Sequence, residues 1–334
     1  MKHYQLMKQN DVLSWHLSNS VLPALLADQV LIRVRAVSLN YRDLLITRNS
    51  AQPTPRIPCS DGAGEVVDVG SSVSRFRVGD RVMTAFFQTW LDGDINADVH
   101  AHALGGAIDG VLSEYVVLNQ HGLVSIPEML SYEEAATLPC AALTAWNGLF
   151  ESGDLKPGES VLLLGTGGVS TFALQFAHAM GATALQISSS DHKLQQAESM
   201  GADHVLNYRD NPQWDEWVLQ MTSGRGVDQV IEVGGAGTLE KSLQAVRPAG
   251  TISLTGVLTG IEGRVSPFPA LLKSLRLQGI YVGSRAMLER MLKALCARRI
   301  RPVIDRVFDF GEAPLALQYL QSAQHVGKVV IKIE

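Results

Sequence analysis

The feature that most constrains the fold is a run of ten residues in the middle of the chain, residues 161–170, with the sequence VLLLGTGGVS. Four consecutive apolar residues predict a strand that is buried on both faces, as strands of a parallel sheet are. The glycine cluster and the apolar residues at helical spacing after it predict a tight turn into a helix. A helix N-terminus presents free N–H groups and the positive end of its dipole, which favours phosphate. The run therefore predicts a parallel α/β sheet with a phosphate-binding turn at one strand end.

The glycines of this turn have separate predicted roles. Gly165 permits the tight bend, and Gly167 lets the backbone approach a pyrophosphate without a Cβ in the way. Ser170 stands where the dinucleotide-binding pattern G-x-G-x-x-G has its last glycine. Because a short glycine pattern alone is a weak signal, the rest of the chain has to support the assignment. The predicted cofactor contacts in the turn are Gly165, Thr166, Gly167, Gly168 and Val169.

The remainder of the chain separates into two kinds of pattern. Residues 1–128 contain short alternating segments joined by glycine turns, which predict a β-rich, barrel-like domain. From residue 129 onwards strands and helices alternate, with glycines at the predicted helix ends. The predicted strands are residues 161–164, 182–187, 204–206, 227–233, 250–255 and 277–282. This series predicts an α/β fold with a doubly wound parallel Rossmann sheet and right-handed crossovers.

Composition argues against several function classes. The 334 residues carry a formal net charge of −5, which gives no electrostatic case for nucleic acid or an anionic membrane. No stretch is long and apolar enough to cross a bilayer, and no apolar leader follows the N-terminus. The three cysteines, Cys59, Cys140 and Cys296, lack metal-site spacing and indicate reduced thiols. We therefore expect a cytoplasmic protein.

The residues after the second strand of the series predict which dinucleotide binds. NAD-binding folds usually place an acidic residue about 20 residues after the glycine turn, where it binds the ribose 2′-hydroxyl. Here Ser188 lies 23 residues after Gly165, and Ser189 and Ser190 follow it. Three hydroxyls with Lys193 nearby favour a 2′-phosphate, which a carboxylate would repel. The predicted cofactor is NADP(H).

Two alternatives stay open at this position. The three serines could simply cap the next helix, with Asp191 turned to water. Tyr208, just after the third strand, could lie along the adenosine 2′-phosphate or be an ordinary exposed aromatic residue on a loop.

Five motifs resemble the medium-chain dehydrogenase/reductase superfamily, and the resemblance covers nearly the whole chain. They are residues 40–43 (NYRD), 61–66 (DGAGEV), 78–82 (VGDRV), 138–146 (LPCAALTAW) and 165–170 (GTGGVS). The resemblance implies a GroES-like catalytic domain over residues 1–128 and 284–334. It also implies a Rossmann dinucleotide-binding domain over residues 129–283, so that the C-terminal segment returns to the first domain.

The departures from the superfamily's zinc enzymes are also informative. The resemblance implies that the three catalytic zinc ligands, Cys, His and Cys, would fall at Asn40, Ser60 and Cys140, of which only the last is a thiol. One thiolate cannot make a three-ligand catalytic site. The structural zinc lobe should lie in residues 88–110, which contain no cysteine, and we interpret His100 and His102 there as incidental. We expect no zinc at either site.

The sequence is therefore closer to the zinc-independent branch, which includes quinone oxidoreductases and enone reductases. In that branch the Asn40 position lies near the nicotinamide and substrate, and the Thr144 position contacts the nicotinamide ring. Lys328 resembles a late lysine that approaches the cofactor, although a solvated lysine at a strand start is an equal possibility. Further nucleotide contacts are implied in the loops after later strands, at Gly234, Gly256, Val257 and Leu258.

The working hypothesis is hydride transfer from NADPH to a small molecule, either a quinone or an α,β-unsaturated carbonyl compound. A polarised double bond needs less help than an alcohol when no Lewis acid is present. The candidate catalytic residues are Asn40, Tyr41 and Ser60, whose alternative roles are backbone binding, core packing and turn formation. Asp43 could orient the cleft or simply cap a helix.

Three rival functions stay open, together with the state of association. One is a metal-free alcohol or aldehyde oxidoreductase, and another is an NADPH-binding redox sensor with little catalysis. A methyltransferase is the third, although Ser188 and the β-rich first half of the chain speak against it. The strand predicted over residues 277–282 could pair with its copy across a two-fold axis, as in dimers of the superfamily, and we expect a homodimer.

Overall fold

The computed structural model describes residues 1–9, 12–49, 51 and 54–334. The strands are β1 (Lys2–Gln9), β2 (Val12–Asn19), β3 (Gln29–Ser38), β4 (Asp61–Val69), β5 (Arg81–Thr84), β6 (Tyr115–Asn119), β7 (Leu123–Ser125), β8 (Ser160–Leu164), β9 (Thr183–Ser188), β10 (His204–Asn207), β11 (Val227–Glu232), β12 (Val246–Leu254), β13 (Arg276–Gly279), β14 (Ile304–Asp309) and β15 (Lys328–Lys332). The helices are α1 (Tyr41–Arg48), α2 (Ala97–His100), α3 (Tyr132–Ala136), α4 (Leu143–Trp146), α5 (Gly168–Met180), α6 (Asp191–Ser199), α7 (Trp214–Met221), α8 (Leu239–Ala245), α9 (Phe268–Leu272), α10 (Arg285–Arg298) and α11 (Ala313–Gln321).

The chain divides into two compact units. The split unit consists of Met1–Leu143 together with Gly283–Glu334, and the central unit is Thr144–Val282. Each unit has a sheet and an apolar core of its own.

A six-stranded parallel sheet forms the middle of the central unit, in the order β10-β9-β8-β11-β12-β13. Counted from β8, this is the 3-2-1-4-5-6 order of a dinucleotide-binding sheet. Strand β8 reads as a continuous apolar run because both its faces are covered, and Val161, Leu162 and Leu163 are fully buried. The predicted doubly wound parallel sheet is confirmed. Its strand order reverses between β8 and β11, and ligands bind beyond the carboxyl ends of the strands at such a point.

The split unit is built on a seven-stranded sheet in which β3 occupies the middle. Strand β3 pairs antiparallel with β4, β6 and β15. Its side chains alternate between buried and half-buried along most of its length, as the alternating sequence predicts. The pairing of Val330 with Ser38 sets the start of β15 beside the residues that follow β3. The register of this strand pair therefore positions the side chains described below.

Some element boundaries differ from the predictions. The pattern of residues 78–82 (VGDRV) predicts a strand, but β5 begins only at Arg81, because Val78 is exposed and Gly79 forms a turn with a φ of 93°. The apolar pattern of residues 141–150 predicts a helix, but this stretch contains parts of two π-helical turns, Leu138–Ala142 and Asn147–Glu151. Such turns are frequent at functional sites.

Candidate active site

The glycine turn after β8 is held from both sides at its first residue. Gly165 has a φ of 73°, which favours glycine, and its N–H donates to the Ile187 carbonyl at 2.7 Å. The buried Gln186 amide donates to the Gly165 carbonyl at 2.7 Å. The turn is thereby fixed to the neighbouring strand β9.

The turn leaves a row of backbone donors without acceptors. The first helical hydrogen bond of α5 runs from the Thr171 N–H to the Gly167 carbonyl at 2.9 Å. No atom lies within 4 Å of the place where a Cβ on Gly165 or Gly167 would stand. A 13-residue helix begins here, so the space beside the glycines fits a pyrophosphate. Among the described residues no acceptor meets the N–H groups of Thr166, Gly167, Gly168, Val169 and Ser170.

Ser170, the departure from the glycine pattern, has a definite structural role. Its hydroxyl donates to the Leu164 carbonyl at 2.6 Å, and the residue is buried. The serine therefore ties the first turn of α5 to the end of β8, where a third glycine would only have allowed close packing.

The end of β9 presents hydroxyl groups and no acidic residue. Ser188 is buried in the strand, and its carbonyl accepts a hydrogen bond from the Tyr208 N–H at 3.0 Å. Ser190 occupies the N-cap position of α6, but its side chain makes no capping hydrogen bond. Asp191 is exposed, and its carboxylate accepts from the Asn207 amide at 2.9 Å. The alternative in which these serines serve as side-chain caps is not supported at Ser190.

The other residues near this predicted 2′-phosphate site are more open. Ser189 and Lys193 are partly buried, and Tyr208 is exposed. Their contacts with a cofactor stay predictions.

A buried glutamate organises the loop after β11. The Glu232 carboxylate accepts from the N–H groups of Gly234 and Gly235 at 2.7 and 3.1 Å. It also accepts from the hydroxyls of Thr238 and Ser242. The Gly234 N–H is therefore committed within the protein, and a cofactor contact at Gly234 would have to use another atom.

The loop after β12 retains free donors. In the described part of the chain, the N–H groups of Gly256 and Val257 have no acceptor. The N–H of Leu258 donates to the Val233 carbonyl at 3.1 Å, and its side chain is half exposed. Thr144, in α4, is buried at the start of the central unit.

A cluster of buried polar side chains lies in the split unit, where β15 passes the end of β3. The ammonium of Lys328 donates to the Leu39 carbonyl at 2.6 Å and to Asn40 Oδ1 at 2.5 Å. Lys328 is 3% exposed, so the alternative of a solvated lysine is wrong. The Asn40 N–H donates to Asp43 Oδ2 at 2.7 Å. Asp43 is therefore the capping residue of α1, which was one of its two predicted roles.

A second carboxylate completes the cluster. Asp61 is fully buried and accepts from the Ser60 hydroxyl at 2.6 Å and from the Cys140 N–H at 3.0 Å. The only proton of the Ser60 hydroxyl is thus given to Asp61, which leaves this hydroxyl no proton to donate to a substrate in this arrangement.

Burial shifts the acid–base properties of these groups. Burial raises the pKa of Asp43 to about 6, although the Arg42 guanidinium and the Asn40 N–H oppose this. Burial also raises the pKa of Asp61, while the Lys328 ammonium holds it down. The pKa of Lys328 is lowered by burial and supported chiefly by Asp61. The charge state of each group in this buried cluster therefore depends on the charges of the others.

Tyr41 differs from Ser60 in having a free hydroxyl. Its ring packs partly buried against the apolar core of the split unit. Within the described residues its hydroxyl makes no hydrogen bond, so it can still donate a proton. Both predicted roles of Tyr41, core packing and proton donation, are compatible with this position.

The residues at the zinc-ligand positions do not fit a catalytic zinc ion. Asn40 Oδ1 already accepts from an ammonium group, and the Ser60 hydroxyl donates to Asp61. In the described ranges no three His, Cys, Asp or Glu residues are grouped so as to hold a metal ion. No step of the chemistry below passes through zinc.

Sequence reasoning missed three residues of these sites, although each left a signal. Gln186 and Glu232 are polar residues within strands of the buried parallel sheet, which predicts a buried polar contact. Asp61 bonds both to Ser60, its neighbour in the chain, and to Cys140, which is 79 residues away. Only the folded structure shows that Asp61 joins them.

Comparisons with known proteins agree with this architecture. Residues 26–128 match the alcohol dehydrogenase GroES-like domain, and residues 168–297 match the zinc-binding dehydrogenase family. A zinc-type alcohol dehydrogenase-like protein of Schizosaccharomyces pombe is 46% identical over 320 residues, covering 92% of this chain and 91% of that protein. A 2-methylene-furan-3-one reductase of Solanum lycopersicum is 32% identical over 329 residues, covering 94% of this chain and 74% of that protein.

A solved structure extends the likeness to three dimensions. The crystal structure of a provisionally named alcohol dehydrogenase from Sinorhizobium meliloti 1021 has a TM-score of 0.94 at 42% identity, covering 99% of this chain and 98% of that one. No helix in the described part of the chain is long and apolar enough to span a membrane. The chain belongs to the medium-chain dehydrogenase/reductase superfamily and is an oxidoreductase.

Proposed function

We propose that the protein is an NADP(H)-dependent, zinc-independent oxidoreductase that reduces a quinone or an α,β-unsaturated carbonyl compound. The observation that carries this proposal is the donor set of the split unit. An amide, a serine hydroxyl and a buried ammonium stand where a zinc enzyme of the superfamily would offer its metal. Of these groups, the Asn40 amide has N–H donors to offer to a substrate oxygen, because the Ser60 hydroxyl donates to Asp61 and the Lys328 ammonium donates to Leu39 and Asn40. Such donation is the help that a conjugated carbonyl needs.

Some residues of the chain would bind the cofactor, and others would polarise the carbonyl group of the acceptor. When bound, NADPH supplies a hydride, which adds to the β-carbon of the acceptor while the π electrons move to the carbonyl oxygen. The Asn40 amide and the Tyr41 hydroxyl are the donors available to that oxygen as its charge develops. A proton then completes the reduction, and the free Tyr41 hydroxyl is the candidate source.

The preference for NADP(H) rests on the end of β9. Members of this superfamily bind NAD(H) or NADP(H). Hydroxyl groups at Ser188–Ser190, with Lys193 on the next turn, suit a 2′-phosphate better than a ribose hydroxyl. Free N–H groups in the glycine turn supply the pyrophosphate site that either dinucleotide requires.

Fluorescence titration of the purified protein with NADPH and NADH tests this preference. Wild-type protein should bind NADPH about tenfold or more tightly, and Ser188→Asp should abolish or reverse the ratio by repelling the phosphate. Ser199→Asp, which places the same charge on the exposed far end of α6, should leave the ratio unchanged. Tighter binding of NADH by the wild type would contradict the proposal.

Relatives favour two substrate classes, and one panel of acceptors separates them. The tomato relative is named as a reductase of a methylene-furanone, which is an α,β-unsaturated ketone. The yeast and Sinorhizobium proteins are named for alcohol dehydrogenation, which makes a metal-free alcohol or aldehyde oxidoreductase the second candidate.

The panel pairs enones and quinones with saturated alcohols and aldehydes, before and after treatment with a chelator. We expect NADPH oxidation with a conjugated acceptor and no loss of rate after chelation. Turnover restricted to saturated alcohols, or a rate that chelation removes and zinc restores, would overturn the proposal. Tight NADPH binding without any turnover would instead favour a redox sensor.

We further propose that the protein forms a homodimer, in which the central unit contacts a second copy of the chain. Strand β13 is an edge of the six-stranded sheet, and Leu277 on it is partly exposed. The adjacent helix α9 exposes Phe268, Leu271 and Leu272. An exposed strand edge beside apolar residues is a surface that a two-fold copy can cover.

Light scattering after gel filtration should give the mass of two chains. Leu271→Glu combined with Leu272→Glu should give one chain, whereas Leu26→Glu, on an exposed loop of the split unit, should not. A wild-type protein that elutes as a monomer at micromolar concentration would refute the dimer.

A further inference from the structure

Lys328 and Asn40 form a contact whose chemistry fixes the orientation of the amide. The buried ammonium of Lys328 lies 2.5 Å from the side-chain oxygen of Asn40. An ammonium group has three donors and no acceptor, so only the oxygen of an amide can face it. The two N–H bonds of Asn40 Nδ2 must therefore point away from Lys328.

On the opposite side of the amide, no hydrogen bond of ordinary geometry is formed with the described residues. Asn40 is 7% exposed, and its Nδ2 makes no hydrogen bond within the described residues. The amide helps to lower the pKa of the buried Asp61 carboxyl, but no hydrogen bond of ordinary geometry joins them. Buried donors are nearly always paired, so an unpaired one that is held in place indicates an acceptor supplied by a ligand.

The rest of the residue is fixed as firmly as its side chain. The Asn40 N–H donates to Asp43 Oδ2, and the ammonium of Lys328 is anchored a second time, on the Leu39 carbonyl. The amide is thus clamped between the N-terminus of α1 and the first residue of β15. An amide held in this way needs no reorganisation when charge develops on an oxygen beside it.

We propose that Lys328 is a positioning residue that orients the Asn40 amide so that Nδ2 donates to a carbonyl oxygen of the bound ligands. The proposal rests on the proposed function, because a conjugated acceptor and the nicotinamide carboxamide both carry such an oxygen. Lys328 acts through Asn40 and touches no reacting atom.

In an alternative explanation, the only role of Lys328 is to balance the negative charge of the buried carboxylates. Its ammonium supports the ionised forms of Asp61 and Asp43 from a distance, and any cation could do the same. The two accounts differ in whether hydrogen-bond donation by the cation matters, and this difference can be measured.

A double-variant cycle tests whether Lys328 acts through Asn40. Steady-state kinetics with NADPH and an enone would compare Lys328→Met, Asn40→Ala and the double variant. We expect each single change to lower kcat about 10- to 100-fold, and the double variant to be no slower than Asn40→Ala alone. Lys332→Met removes an exposed ammonium from the same strand and should leave the rate unchanged. Multiplicative losses in the double variant would overturn the proposal.

Chemical rescue separates hydrogen-bond donation from charge. In Lys328→Ala, n-propylammonium should restore a large part of the lost rate, because it supplies both charge and N–H donors. Tetramethylammonium carries the charge without a donor and should restore nothing. Equal rescue by both cations, or rescue by neither in a variant that still binds NADPH and unfolds at the wild-type temperature, would refute the positioning role.

A binding measurement keeps this inference separate from the proposed function. Protein labelled with [¹⁵N]asparagine would show the Asn40 side-chain signal, identified by its absence in Asn40→Ala. That signal should shift when NADPH binds if the carboxamide is the acceptor, or when an enone binds to the NADPH complex if the substrate is. It should double or broaden in Lys328→Met. A signal unaffected by both ligands and by Lys328→Met would overturn the inference even if enone reduction is found. A shift with NADPH in an enzyme that turns over no acceptor would support the inference while the proposed function fails.

Discussion

Among the described residues, each unit of the molecule buries two carboxyl groups, and their hydrogen bonding differs between the units. In the central unit, Asp228 accepts from Arg225, Arg247 and Ser160 at distances between 2.5 and 2.9 Å, and Glu232 is surrounded by backbone and hydroxyl donors. In the split unit, Asp43 Oδ1 has no hydrogen bond among the described residues, and Asp61 accepts hydrogen bonds from Ser60 and Cys140.

The pKa values of Asp228, Asp43 and Asp61 differ between the two units in the same way. Burial by itself would raise the pKa of Asp228, but the hydrogen bonds from Arg225, Arg247 and Ser160 hold it well below its usual range. Burial raises the pKa of Asp43 and Asp61, and their partners do not fully offset it. A buried carboxylate with complete pairing stabilises a fold, whereas incompletely paired buried groups are typical of functional sites.

The largest effect is expected from a substitution that disrupts the complete pairing of Asp228 in the central unit. Asp228→Asn removes the charge that holds two arginines and the start of β8, so we expect the free energy of unfolding to fall by about 3 to 5 kcal/mol. Urea unfolding followed by circular dichroism measures this. Glu216→Gln, an exposed charge change on α7, should cost less than about 0.5 kcal/mol. Equal effects of the two substitutions would mean that the pairing of Asp228 contributes little.

An intermediate effect concerns pH and has the opposite sign. The folded-state pKa of Asp43, about 6, lies above its unfolded value, so the folded protein binds an extra proton between roughly pH 4 and 6. Ionisation of Asp43 therefore costs stability as the pH rises through this window. Asp43→Asn keeps an oxygen for the Asn40 N–H and should gain about 2 to 3 kcal/mol relative to wild type between pH 4 and 7.

The control for this measurement is Asp94→Asn, an exposed residue of the same unit. Its stability relative to wild type should be nearly independent of pH. If the stability difference between Asp43→Asn and wild type did not change with pH, Asp43 would titrate like a solvated acid. The contrast between the two units would then weaken.

The smallest expected effect tests a neutral hydrogen bond at the glycine turn. Ser170→Ala removes the donor to the Leu164 carbonyl and should lower the free energy of unfolding by about 1 kcal/mol. NADPH affinity should stay within about twofold of wild type, because the pyrophosphate site is made by backbone N–H groups. Ser199→Ala, at the exposed end of α6, serves as the control. A tenfold loss of NADPH affinity in Ser170→Ala would instead assign the hydroxyl to cofactor binding.

The glycine turn shows what could be predicted and why. Its strand, turn and helix follow each other in the chain, so local patterns sufficed for the apolar run, for Gly165 and for the free N–H groups after it. The predicted strand over residues 227–233 ends within one residue of the end of β11. The π-helical turns on either side of α4 have no comparable signal, because their apolar residues also fit a regular helix.

The polar cluster shows the limit of the same reasoning. The motifs and the family resemblance identify Asn40, Ser60 and Cys140 one by one, and they predict two alternative roles for Lys328. Nothing local indicates that Lys328 would be buried against Asn40, since 288 residues separate them. The contact arises from the antiparallel register of β15 and β3, and register depends on long-range pairing.

The sequence by itself determined the class of fold, the place of the dinucleotide turn and the lack of zinc ligands at two of the three expected positions, because each depends on residue type and short-range spacing. Only the tertiary structure decided which donors are already used and which are free. It paired Ser60 with Asp61 and the Gly234 N–H with Glu232, and it left Asn40 Nδ2, beside a buried ammonium, without an acceptor among the described residues. The physical reason is that hydrogen-bond satisfaction depends on every element packed around a group, and local sequence specifies only the group.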